Sequence, residues 1–266
     1  MSCNFDYGMK KQNCIFCDVE LSGQKSREHI FPLWLQERWA LSENSLLQTH
    51  FSEEGDVLSD RLHDLRSHVC GRVCSPCNNG WMSQIETDMR PILIPLAESA
   101  AMLSELDSLQ SIILARWACK TAYVLHAAAN YRPIVPFEHL HLIRANATVL
   151  PPRVYVHAHQ HKSTQPFAWW QGSNWYIEGD EEFITPEMQE TLRAKAYKIC
   201  FSIKDLILIV SHNPFPEMLP VLWKGYHFPV FPEQGSVFWF EREGFPDEDT
   251  QSACITLMVT MGLKQK

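Results

Sequence analysis

Apolar residues recur at helical spacing in residues 33–39, Leu-Trp-Leu-Gln-Glu-Arg-Trp, which predicts a short helix directly after Pro32. A second helix is expected to begin in Asn78-Asn-Gly-Trp-Met-Ser-Gln-Ile-Glu, where Trp81 and Ile85 lie four apart on one face. Pro91 is expected to limit it. Residues 95–129 are helical by period, with Leu103, Leu106, Leu109, Ile113, Trp117, Tyr123 and Val124 forming a broad apolar face. The polar segment 42–67 reads as an insertion holding a turn and a strand pair. After residue 130 the pattern changes to short alternating runs at 153–159, 168–170, 175–177, 198–210, 228–231 and 252–259. Turn signals separate these runs, and short helices are expected near 137–144 and 186–196. The fold class predicted is α+β with a mostly antiparallel sheet. The expected division is an N-terminal unit over 1–92 and a helical linker plus α+β unit over 93–266.

Composition narrows the class. With 45% hydrophobic and 20% charged residues the chain reads as an ordinary globular protein. The longest apolar stretch, residues 112–129, is interrupted by Arg116, Lys120 and His126, so no membrane span is expected. No basic segment followed by an apolar core opens the chain, and a cytoplasmic location is expected. A net charge of −8 argues against the bulk electrostatic attraction used by strongly basic nucleic-acid binders, so phosphate affinity is expected from a bound cation, a local Arg/Lys patch or a partner that delivers the substrate.

Nine cysteines in such a chain point to metal or buried thiols before disulfides. Cys14-x-x-Cys17 and Cys74-x-x-Cys77 are two knuckles able to hold one tetrahedral Zn²⁺ through four thiolates. Cys70, four residues before Cys74, is an alternative ligand. Cys119 and Cys200 are expected to be inert core thiols. Between the knuckles stands Arg27-Glu28-His29-Ile30-Phe31-Pro32, and Asn78 follows the last knuckle cysteine. A carboxylate, an imidazole and an amide around a zinc-stapled scaffold are the parts needed to bind a divalent metal and activate water against a phosphodiester.

These motifs resemble the HNH endonuclease family, whose ββα-metal finger is often built on a treble-clef zinc fold. The resemblance covers roughly residues 10–90. It implies that His29 acts as general base and that Glu28 and Asn78 ligate a catalytic Mg²⁺ or Mn²⁺. Cys14, Cys17, Cys74 and Cys77 would hold structural Zn²⁺. Asn78 has the alternative role of helix cap, with Asn79 as the fallback ligand, and Glu86 either faces the same site or pairs with Arg90. The sequence departs from the family pattern at the central Asn, where Arg66-Ser67-His68-Val69-Cys70 stands, and His68 is the substitute as ligand or loop brace. The function implied is metal-dependent hydrolysis of nucleic acid, DNA being the expected substrate, in phage defence or restriction, with a protein partner or homo-oligomer allowed. The competing reading is a non-catalytic zinc module that binds nucleic acid or protein; a thiol-redox role lacks the preceding βαβ pattern.

Downstream, His157, His159 and His161 share one face at period two, consistent either with a second metal site or with a polar strand face. Trp169, Trp170, Trp175 and Tyr176 are candidates for stacking on bases or for core positions.

Overall fold

The computed structural model describes residues 12–21, 26–40, 45–51, 57–64, 68–129, 133–146, 148–165, 167–172, 175–178, 185–231, 237–241 and 249–265. Cys3, residues 65–67 and the side chain of Tyr176 lie outside the described residues.

At the N-terminal end, strand β1 (Glu28–His29) is followed by helix α1 (Leu33–Arg38) and a hairpin of β2 (Ser45–Phe51) and β3 (Val57–Asp64). Strand β4 (Val69–Cys70) then returns antiparallel to β1, with His29 opposite Val69 and Glu28 opposite Cys70. The strand pair expected in 42–67 is therefore present. The chain next forms a single turn, α2 (Ser75–Cys77), a wider π-type turn over Asn78–Met82, and helix α3 (Ser83–Ala97).

Helix α3 runs through Pro91 and Pro95, contrary to the expectation that Pro91 would limit it. An interior proline costs about 3 kcal/mol. Met89, Ile92, Leu93 and Leu96 are all buried on this helix, and each contributes about 1.5–3 kcal/mol by leaving water. Burial on that face offsets both prolines.

A 3₁₀ turn (Leu103–Glu105) leads to α4 (Ser108–Ala128), the central helix. Its start is fixed by a reciprocal capping box: Asp107 Oδ1 accepts from the Gln110 N–H at 2.7 Å, and Gln110 Oε1 accepts from the Asp107 N–H at 3.0 Å. The apolar face expected over 95–129 is thus carried mainly by α4, with Trp117, Tyr123 and Val124 fully buried but Leu109 64% exposed in its first turn. Helix α5 (Phe137–Ala145) follows.

The remaining elements are β5 (Val154–Gln160), β6 (Phe167–Gly172), β7 (Tyr176–Glu178), α6 (Pro186–Lys195), β8 (Tyr197–Ile203), β9 (Leu206–His212), β10 (Met218–Trp223), β11 (Phe228–Phe231), β12 (Phe238–Phe240), α7 (Thr250–Val259) and β13 (Gly262–Gln265). They form an antiparallel sheet in the order β11-β5-β9-β8-β6 and a mixed sheet in the order β12-β10-β13-β7. The molecule is α+β and mostly antiparallel, as predicted; two pairs, β10 with β12 and β13 with β7, are parallel.

The single run expected over 198–210 is a hairpin, β8 and β9, turned at Lys204-Asp205 with Lys204 at φ 51°. The run 252–259 is a helix, not a strand. Its β-branched, apolar composition fits either element, but Asp249 Oδ1 caps the N–H groups of Gln251 and Ser252, and Ala253, Cys254 and Leu257 bury one helical face.

Strands β8 and β9 are buried along their whole length because the five-stranded sheet is covered on both sides. Tyr197, Ile199, Phe201, Ile203, Leu206, Leu208 and Val210 join the larger core, which includes Trp117 of α4 and extends to Cys14. Cys200, Ile207 and Ile209 face the smaller core with Ala253, Cys254 and Leu257 of α7. Among the described residues, no helix is long and apolar enough to cross a membrane.

Candidate functional site

Each cysteine knuckle is shaped by backbone hydrogen bonds. In the first, Cys14 N–H donates to Val19 O and Asp18 N–H to Cys14 O, both at 2.9 Å, and Asp18 takes the left-handed conformation (φ 59°) that Asp tolerates better than most residues. The two knuckles are tied together by Ile15 N–H to Arg72 O and Ser26 N–H to Val73 O, each 3.0 Å. The result brings the sulfur atoms of Cys14, Cys17, Cys74 and Cys77 within 4.8 Å of one another. Cys17 Sγ and Cys74 Sγ are 3.6 Å apart, close to the ~3.8 Å separation that four tetrahedral Zn–S bonds of about 2.3 Å require. The donor set and its spacing fit a metal such as zinc. Cys70 is buried but is not one of the four sulfurs that gather, whereas Cys74 is.

The Cys14 thiol is drawn down to about 4 because Cys77 and the N–H groups of Cys74, Phe16 and Cys17 donate to its sulfur, against burial. That bond to Cys14 raises Cys77, as does burial. Burial dominates at Cys17 and raises it.

Beside this cluster, Glu28 on β1 is 7% exposed. Its Oε1 accepts from Lys120 Nζ at 3.2 Å, and Lys120 also reaches Glu86 Oε1 at 2.5 Å. Glu86 accepts further from Trp117 Nε1 at 2.9 Å and Trp34 Nε1 at 3.4 Å. Glu86 therefore shares a cation with Glu28 rather than pairing with Arg90, whose guanidinium lies over the Trp34 ring at 5.5 Å. Lys120 has no exposed surface. Burial alone would lower its pKa, but Glu86 and Glu28 outweigh burial and raise it, so the ammonium persists.

His29 is half-buried at the end of β1, opposite Val69. His68 is 8% exposed, and its carbonyl accepts from the Ile30 N–H at 3.3 Å, so its backbone braces the segment just after His29. Asn78 is half-buried and Asn79 exposed. The Asn78 side chain caps neither α3 nor the π-type turn; both start without a side-chain cap. Its N–H instead donates to Cys74 O at 3.0 Å, which fixes it against the second knuckle. Among the described residues, the four cysteines are the one cluster in which three or more His, Cys, Asp or Glu ligand atoms gather; Glu28, His29 and His68 do not form another.

Sequence reasoning missed Lys120. The available signal was a lysine inside the run Ala118-Cys119-Lys120-Thr121-Ala122 of an apolar helix, because a charge on a buried face needs a partner.

Among the described residues, the histidines of β5 do not gather into a cluster of metal-ligand atoms. His157 is completely buried beneath the second sheet face, edge-on to His227 at 6.2 Å, while His159 is half-buried and His161 lies beyond the strand end. Trp169 and Trp170 are half-buried and pack against the larger and smaller cores respectively, and Trp175 is 9% exposed with Lys198 Nζ at 4.4 Å from its ring centroid. Cys119 and Cys200 are fully buried, and burial raises both thiols, to about 12 for Cys119.

No protein-family model matches this chain, and neither a curated protein nor a solved structure matches it.

Proposed function

We propose that the protein is a metal-dependent HNH-type endonuclease in which a structural Zn²⁺ on Cys14, Cys17, Cys74 and Cys77 staples a ββα finger of treble-clef type. The observation that carries this reading is the four-cysteine cluster flanked by an antiparallel β1–β4 pair, with Glu28 and His29 on β1 and Asn78 next to Cys77 at the entry to a helix.

In this account His29 takes the proton of an attacking water on a ring nitrogen, as a general base. Oxygen ligands from Glu28 and Asn78, with an imidazole nitrogen of His68 as the third candidate, would hold Mg²⁺ or Mn²⁺. Such an ion supplies charge stabilisation to the phosphoryl oxygens and to the leaving group. Mg²⁺ keeps several waters and takes only one or two protein carboxylates, so Glu28 as the one acidic ligand is compatible with it. Lys120 is a positioning residue: it fixes Oε1 of Glu28, while Oε2 accepts no hydrogen bond among the described residues and is free for a cation. Nucleic acid, with DNA as the expected form, is the substrate, and restriction of foreign DNA is a fitting role.

One observation favours a second reading. The Glu28 carboxylate already has a partner in Lys120, as expected of a zinc module that binds nucleic acid or protein without cutting it. Incubating purified protein with plasmid, single-stranded DNA and RNA in the presence of Mg²⁺, Mn²⁺ or neither tests the proposal. Metal-dependent cleavage of at least one substrate is expected. Binding without cleavage under every condition would favour the second reading.

A further inference from the structure

Far along the chain from the cysteine cluster, a cleft of about 410 Å³ opens between α5, α6 and the ends of β5 and β9, within the size range of small-molecule sites. His139 and His212 line it, and a polar relay runs inward from His139. His139 Nδ1 lies 2.9 Å from Tyr197 Oη, which lies 2.9 Å from Tyr123 Oη. The His212 ring stands edge-on to His139 at 4.5 Å and stacks on Tyr197 at 5.4 Å. Both imidazoles are more than nine-tenths buried.

Hydrogen bonding fixes one tautomer. His212 Nδ1 is 3.0 Å from the Lys195 carbonyl, which can only accept, so Nδ1 carries the proton and Nε2 is left as a lone pair. Burial holds both rings neutral, His139 at about 3 and His212 at about 4, with Arg153 adding to the effect. Neither Nε2 atom has a hydrogen-bond partner among the described residues.

The rim supplies charge. Arg153 is held in the left-handed conformation (φ 57°), and its Nε donates to Asn213 O at 3.1 Å, leaving the terminal guanidinium nitrogens without a partner among the described residues. A non-glycine residue in that conformation costs of order 1 kcal/mol and persists where its surroundings impose it, a pattern common at ligand sites. Lys195 adds a second cation and Glu138 a single carboxylate, while Pro136, Leu142 and Pro152 line the apolar wall.

We propose that this cleft binds a small organic anion, its negative group against Arg153 and Lys195, a hydrogen-bond donor toward His212 Nε2, and its apolar body against the proline-lined wall. The proposal is independent of nuclease activity.

Titration calorimetry of the full chain with AMP, phenyl phosphate, benzoate and inorganic phosphate tests it. At least one organic anion should bind with a dissociation constant below about 1 mM, and about tenfold or more tighter than inorganic phosphate. Arg153→Ala should weaken that binding about tenfold or more, the scale of a charge-assisted hydrogen bond. Thr191→Trp, which fills the cleft from α6, should abolish it while circular dichroism stays unchanged. Binding of none of the four probes at about 5 mM, inorganic phosphate binding as tightly as the organic anions, or normal binding by both folded variants would each overturn the proposal.

Discussion

Lys120 is the residue on which the N-terminal site depends most. It lies without solvent contact between Glu28 and Glu86, whose side chains are 9% and 14% exposed. Removing one member of a buried ion pair costs about 3–5 kcal/mol, because the partner charges stay buried and unpaired. Lys120→Met is therefore expected to destabilise the protein by about that amount in urea unfolding. A change under about 1 kcal/mol would show that water reaches both carboxylates. The four-cysteine cluster was legible from two C-x-x-C pairs, with Cys70 left as an alternative until folding showed which sulfurs gather. Lys120 was not, because its partners lie 92 and 34 positions away in the chain and only folding brings them together.

At the scale of elements, local signals worked where packing agreed with them and failed where it did not. The helices near 33–39, 137–144 and 186–196 and most of the strands follow from periodicity. Helix α3 continued through Pro91 because tertiary burial exceeded the proline cost. Helix α7 was hidden by β-branched composition, although Asp249 gave a capping signal. The histidine face of β5 looked polar only because the second covering layer was not visible in the sequence. Capping gives a prediction of its own. Asp107→Ala removes one half of the box that starts α4 and should cost about 1 kcal/mol in urea unfolding. No measurable loss would mean that packing alone defines that start. The zinc knuckles should behave differently: Cys17→Ser or Cys74→Ser should yield protein lacking zinc and unfolded at its N-terminal end, read by metal analysis and limited proteolysis. A folded, zinc-loaded Cys74→Ser protein would contradict the ligand set.

The whole molecule carries an acid liability. Burial holds His139 at about 3 and His159, His212 and His227 at about 4, below the 6.5 of a free imidazole. Between 6.5 and about 4 the unfolded chain binds protons that the folded chain refuses, so stability is full above 6.5 and falls as pH drops through that window. Each group removes about 1.4 kcal/mol per pH unit. Four together remove about 5 kcal/mol per unit, against a typical total of about 5–15. Cooperative unfolding is expected between about pH 5 and pH 4. Zinc analysis of the same samples separates this from loss of metal, since thiolates also protonate in acid. Stability unchanged from pH 7 to pH 5 would show that these imidazoles are hydrated in the folded state.

In the proposed function a zinc-stapled scaffold presents His29 as the base for phosphodiester hydrolysis. The most direct test compares cleavage and zinc content in wild-type protein and in His29→Ala. The account predicts at least about a hundredfold slower metal-dependent cleavage, with bound zinc and melting temperature unchanged, because His29 is outside the cysteine cluster. Equal cleavage by both proteins, or zinc lost together with activity, would contradict it.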